Sequence, residues 1–251
     1  DGVILEFDRP AGVTSAAMLL RVQNTAWTSG LLKNLLTLPG ENLDQWYAEM
    51  ERSAEAREAV ARAMIREAML RVYVWDGTKW RPAGHIWEVG AGIAKDVAHV
   101  IDLEDIPGDM LKIKLESTPG MWMVNSVQVD FSYYNIPTTM QSIPVSKAVD
   151  QKGQDVSLML QKADNRYYEM PSAGDVVELE FTAPAPPPAG MDRSFILQGS
   201  GYYIVNMKAE GAPRMAELRQ IVEEPGAFSR FSLLSLHAET LKYIKSIRVV
   251  Q

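Results

Sequence analysis

Leu70-Arg71-Val72-Tyr73-Val74-Trp75-Asp76-Gly77-Thr78-Lys79-Trp80-Arg81 is the stretch that decides the fold. Leu70, Val72 and Val74 alternate with Arg71, Tyr73 and Trp75, the two-residue period that sends successive side chains to opposite faces of a strand. Asp76-Gly77 then supplies a turn pair tolerant of positive φ, and Lys79-Trp80-Arg81 leads back. The pattern predicts a β-hairpin.

Upstream of the hairpin the period changes. Leu43, Trp46, Tyr47, Met50, Ala54, Ala61, Met64, Ile65 and Ala68 recur at helical spacing with Glu and Arg between them, which predicts one amphipathic helix over residues 42–68. Asn42 is its expected N-cap, with Gln45 reaching back as in a capping box. A shorter helix is expected over 30–38, stopped by Pro39-Gly40. Earlier still, residues 3–7 and 16–23 read as two strands joined by a loop at Pro10-Ala11-Gly12. Downstream, strands are legible at 97–101, 110–115 and 126–131, separated by Pro107-Gly108-Asp109 and Pro119-Gly120.

The expected fold class is therefore mainly β with a helical insertion, an α+β chain. Residues 1–136 form a jelly-roll or β-sandwich domain carrying the inserted helices, and residues 137–251 a smaller β-rich second domain. In the second domain residues 175–181, 194–198 and 202–207 read as strands, with the Pro-rich connection 183–190 extended between them. Phe228, Phe231, Leu234, Leu241 and Ile244 predict a C-terminal helix over 227–245.

Composition excludes several classes of function. With 251 residues and 47% hydrophobic content the chain can bury real cores. A formal net charge of -7, with Lys and Arg scattered along the sequence, argues against nucleic acid as a partner, because phosphate binding needs a local basic field. The absence of cysteine removes disulfides, zinc thiolates and thiol catalysis. No apolar run approaches the roughly 20 residues of a membrane span. The opening residues show neither a basic n-region nor an apolar h-region, so the chain is expected to be cytosolic or to have lost a signal.

Candidate sites are few. Asp102, Glu104, Asp105 and Asp109 lie in one loop and could offer calcium several hard oxygens, against the plainer reading of a solvated turn. Trp75, Trp80, Trp87 and Trp122 are the stronger lead, since flat aromatic faces stack on the apolar C–H face of a sugar ring, although buried tryptophans usually serve the core. Tyr133-Tyr134, Tyr167-Tyr168 and Tyr202-Tyr203 are doublets of which one member each should face solvent. His85, His99 and His237 fall in three segments with no triad-like order around them. Asp76, Glu88, Glu116 and Asp130 are available for a glycosidase pair, which separation in space alone would reveal. Gly199-Ser200-Gly201 lacks the Lys and helix start of a phosphate loop.

Two stretches resemble known families. Met110-Leu111-Lys112-Ile113-Lys114-Leu115, followed by Pro119-Gly120-Met121-Trp122-Met123-Val124-Asn125-Ser126-Val127-Gln128-Val129-Asp130, resembles the closing strands of galactose-binding-like jelly rolls. Residues 174–181, 190–197 and 201–203 are similar to tails of bacterial multi-domain proteins that carry ASPIC/UnbV-like, FG-GAP propeller or tetratricopeptide segments, of which the propeller and repeat segments are absent here. The resemblances imply an exported, periplasmic or cell-surface region without catalysis, while a cytoplasmic location stays open. The expected function is a non-catalytic accessory or interaction module, with a glycan or another surface protein as partner. Carbohydrate binding through the tryptophans and a glycan-active hydrolase are the alternatives.

Overall fold

The computed structural model describes residues 1–134, 138–164, 166–201 and 207–248, with side chains as far as 245. Seven strands, β1 (Gly2–Asp8), β2 (Ser15–Asn24), β3 (Leu70–Trp75), β4 (Trp80–Ile86), β5 (Lys95–Asp102), β6 (Met110–Glu116) and β7 (Trp122–Asp130), form two antiparallel sheets. Their orders are β1-β6-β3-β4 and β5-β2-β7. Both sheets turn an apolar face to one core. Ala16, Met18, Leu20 and Val22 of β2 meet Leu70, Val72 and Val74 of β3 and Leu111, Ile113 and Leu115 of β6, and none of these is more than 5% exposed. This two-residue alternation is the one legible in the sequence, and it is why the opposite faces carry polar and aromatic side chains.

The insertion between β2 and β3 is helical, in smaller pieces than its periodicity predicts. It comprises α1 (Ala26–Leu36), a 3-10 turn at Gly40–Asn42, α2 (Leu43–Arg52) and α3 (Ala54–Glu67). The expected single helix over 42–68 breaks at Ser53, whose backbone is extended (φ -105°, ψ 108°) and whose hydroxyl accepts from the Ala56 N–H at 3.1 Å. A serine oxygen that caps a new helix competes with continuing the old one, and the apolar spacing runs through the break undisturbed. Asn42 makes no side-chain cap, so the expected capping box with Gln45 is not formed.

Residues 207–248, assigned to the second domain by the sequence reading, pack with the first unit instead. The chain divides into Asp1–Asn135 with Met207–Gln251 as one compact unit and Ile136–Asn206 as another. In the first, α5 (Met215–Glu223) and α6 (Ala227–Arg248) contact the insertion helices. Leu218, Ile221, Phe228 and Phe231 join Leu31, Leu38, Met69 and Met121 in a second buried core. A polar clasp at the end of α3 orients them. Arg66 donates to the carbonyls of Val222 (3.1 Å) and Glu224 (3.4 Å) at the end of α5, and the buried Glu67 carboxylate accepts from the Gly226 N–H and from Ser229 Oγ (3.1 Å) at the start of α6. Each charge sits at the helix end whose dipole it complements.

The second unit contains β8 (Lys147–Asp150), the short α4 (Ser157–Leu160) and β9 (Val177–Glu180). Its core is Val145, Ala148 and Val156. Polar turns do most of the holding: Asp150 accepts from the N–H groups of Lys152 (2.9 Å) and Gln154 (2.8 Å) and from Tyr168 Oη (3.1 Å). The strand expected at 175–181 is present as β9, whereas 194–198 is irregular and pairs with no strand among the described residues. Of the strand expected at 202–207, residues 202–206 lie outside the described part of the chain, as does the Tyr202-Tyr203 doublet.

Candidate ligand face on the four-stranded sheet

The outward face of the β1-β6-β3-β4 sheet is built in rows by strand register. Arg71 of β3 lies between His85 of β4 and Glu116 of β6, and Glu116 is opposite Gly2 of β1. Tyr73 lies between Pro82 and Lys114, and Lys114 is opposite Ile4. Trp75 pairs with Trp80 across the hairpin, and Lys112 with Glu6 on the far side of the sheet. Residues from four separate segments thus share one surface.

Their contacts follow from these rows. Trp75 and Trp80 meet edge to face with ring centroids 5.4 Å apart, an arrangement the ring quadrupoles favour. The Lys114 ammonium stands 4.5 Å from the Tyr73 ring centroid and 5.5 Å from that of Trp80, a cation over aromatic faces. Lys114 also pairs with Glu116 at 2.7 Å, and Arg71 Nη2 with the other oxygen of that carboxylate at 3.1 Å. The hydrogen bond from Lys114, aided by the charge of Arg71, holds the Glu116 carboxyl below its usual value. At the far end of β4 the Trp87 ring stands edge-on to His85 at 4.9 Å and is 59% exposed.

An open groove of about 250 Å³ runs beside the first two rows, lined by Ile65, Arg71, Tyr73, Pro82, Gly84 and His85. Two nitrogens of its lining, Arg71 Nε and His85 Nε2, are shielded from water and have no hydrogen-bond partner among the described residues. Gly84 is part of what shapes this edge. Its φ of +122° is costly for an L side chain, and a Cβ there would lie 2.6 Å from Cε1 of His99, which β5 brings against the strand. His99 is itself held, its Nε2 lying 2.7 Å from the Ala83 carbonyl oxygen, and His237 is exposed on α6.

The four tryptophans have different surroundings. Trp75 and Trp80 are half-buried on the outward face of the four-stranded sheet, and Trp87 is exposed beside it. Trp122 is a joint: it packs against both cores of the first unit and donates from Nε1 to the Ala68 carbonyl at 2.8 Å. The sequence reading missed Arg71, Tyr73 and Lys114. Their one visible signal was the alternation that puts Arg71 and Tyr73 on the face opposite Val72.

Asp102, Glu104, Asp105 and Asp109 are not drawn together as a metal cage. No group of three or more potential ligands converges among the described residues. Asp102 caps the Glu104 N–H at 3.0 Å, and Asp105 lies 3.7 Å from Arg81. A guanidinium occupies the loop interior, since Arg9 donates to the carbonyls of Val13, Leu103 and Ile106. Those oxygens, which a calcium ion would need, serve a cation of the chain itself.

Three of the four carboxylates considered for hydrolysis, Asp76, Glu116 and Asp130, are occupied as well, and Glu88 is exposed. Asp76 accepts from Thr78 and from the Lys79 N–H at the hairpin turn, which pulls it down to about 2. Asp130 is lowered by the hydroxyl and N–H of Ser132. A general acid needs its pKa raised, and Asp76, Glu116 and Asp130 all move the other way.

No helix of the described residues is long and apolar enough to cross a membrane. Comparison with protein-family models, curated proteins and solved structures finds no match for the chain.

Proposed function

We propose that this chain is a non-catalytic binding module whose ligand face is the outward surface of the β1-β6-β3-β4 sheet, and that its ligand is a carbohydrate. The observation that carries the reading is the Tyr73, Trp75 and Trp80 cluster with Lys114 over it: three rings on a rigid sheet, with polar groups at their edge. An accessory module of an exported bacterial protein is the setting in which such a face has a use. A jelly-roll relationship is part of the proposal. It is supported by the nested antiparallel pairs β1 with β6, β2 with β5 and β3 with β4, the order a hairpin takes when rolled on itself, with β7 added beside β2. Such folds host many roles, so the site and not the fold carries the argument.

Affinity electrophoresis against neutral and acidic polysaccharides tests it. Retardation is expected, with Trp80→Ala weakening it about tenfold, the effect of losing about 1.4 kcal/mol from an aromatic anchor. Unretarded migration in every gel would overturn the reading.

A second reading, a protein partner, is favoured by the exposed leucines of α6. Leu233, Leu234 and Leu241 are 52%, 71% and 43% exposed there, apolar surface of the kind protein neighbours cover.

A further inference from the structure

We infer that the carbohydrate is acidic, and that its carboxylate is received at the Arg71–His85 end of the face. The inference rests on the proposed carbohydrate reading and names the ligand class. Two observations carry it. The first is the pair of unpartnered nitrogens, Arg71 Nε and His85 Nε2, on directly opposed residues of β3 and β4 that line one groove. Shielded polar groups without partners are costly, and an oxygen between them accepts from both when the His85 proton is on Nε2. The second is charge. The whole chain is -7, yet beside the groove Arg71 and Lys114 share the single carboxylate of Glu116, while Lys112 is matched by Glu6 farther along the face. The surplus cation has an anion as its natural complement.

Geometry gives the ligand its direction. Arg71 and Trp75 are four residues apart on one strand, about 13 Å at about 3.3 Å per residue. A saccharide chain lying along the β3–β4 ladder therefore stacks a ring at Trp75 and Trp80, crosses Tyr73 and Pro82, and delivers a carboxylate to the groove. Arg71 has its Nη2 on Glu116, which fixes the guanidinium plane and leaves Nε for the ligand. Because both nitrogens are shielded from water, an oxygen reaches them after a rotamer change of a neighbouring side chain, a fast motion for an exposed ring such as Trp87, which stands edge-on to His85.

The test is calorimetric titration of the full chain with polygalacturonate and with the same polymer methyl-esterified, which keeps the rings and removes the charge. The free acid should bind at least tenfold more tightly. Arg71→Gln should reduce it to the level of the ester, and Arg71→Lys, which keeps the pairing charge for Glu116 but removes Nε–H, should do the same if the first variant does not fold. In parallel, the imidazole 15N resonances of His85 should shift on adding the acid while those of His99 and His237 do not. Equal binding of acid and ester would overturn the inference and leave the carbohydrate reading standing. Binding of neither, nor of any neutral polysaccharide, would remove both. Dextran sulfate bound as tightly as the uronate, with an unmoved His85, would mean a general polyanion surface and would also contradict a carboxylate site.

Discussion

The two units of this chain are held by different physics. The first closes two sheets over a core of Met, Leu, Ile and Val side chains and adds a second apolar core from its helices, whereas the second has Val145, Ala148 and Val156 inside and relies on Asp150 and Asp155 to satisfy turn N–H groups. Buried area is the main source of stability, so the difference teaches where a rigid binding surface can be built. The proposed ligand face sits on the sheet whose reverse side is the largest core among the described residues. Side chains on such a sheet are positioned before a ligand arrives, and little ordering entropy remains to oppose binding.

The contrast can be broken most forcefully at Ile113, fully buried between the sheets. Ile113→Ala should cost about 3 to 4 kcal/mol, read by denaturant unfolding, and a loss under about 1 kcal/mol would mean that the sheets are not cemented by this core. Glu67→Ala comes next. It leaves the Gly226 N–H unpaired and the Ser229 hydroxyl with Thr118 Oγ1 (2.8 Å) as its remaining partner, and should cost about 2 to 3 kcal/mol, with α5 and α6 losing amide protection before the strands do. Ser53→Ala removes one cap and should cost about 1 kcal/mol, unless α2 and α3 merge into the single helix their periodicity suggests, which circular dichroism would report as a helical gain.

Acid sharpens the comparison from the other side. Asp150 and Asp155 are lowered by the hydrogen bonds they accept, from the Gln154 N–H first for Asp150 and from the Ser157 hydroxyl first for Asp155. A depressed folded pKa means stability that is present above the unfolded value of about 3.8 and lost as pH falls through the folded one. Asp76, Glu116 and Asp130 of the first unit are lowered too, but beside a large core; with Val145, Ala148 and Val156 as its buried core, the second unit should loosen below about pH 4 ahead of the first, visible as earlier proteolysis within 138–201. Loosening of both units together would contradict this. The smallest effect belongs to the exposed pair Arg62–Glu58, 3.4 Å apart, whose removal by Glu58→Ala should change stability by less than about 0.5 kcal/mol.

Local periodicity explains what was legible in advance. Ser15–Asn24, Leu70–Trp75 and Met110–Glu116 alternate because each has one face on the core, and the C-terminal helix shows in the spacing of Phe228 and Phe231. The break at Ser53 was not legible, because apolar spacing continues across it and only the serine's own hydrogen bond marks it. Nor was the return of α5 and α6 to the first unit, which depends on Arg66 and Glu67 meeting residues over 150 positions away. The apolar run at 194–198 looked like a strand by composition, yet strands need a partner ladder. The proposed ligand face was half visible. Trp75 and Trp80 announced themselves, but Arg71, His85 and Lys114 meet only through the register of three strands, information that no local window contains.

Hydrogen exchange followed by mass spectrometry, with and without polygalacturonate, tests the central claim most directly. The account predicts slow exchange across the strands of the first unit, faster exchange over 138–201, and ligand-dependent protection confined to 70–86 and 110–116. Protection centred on 138–201, or spread evenly over the chain, would contradict it.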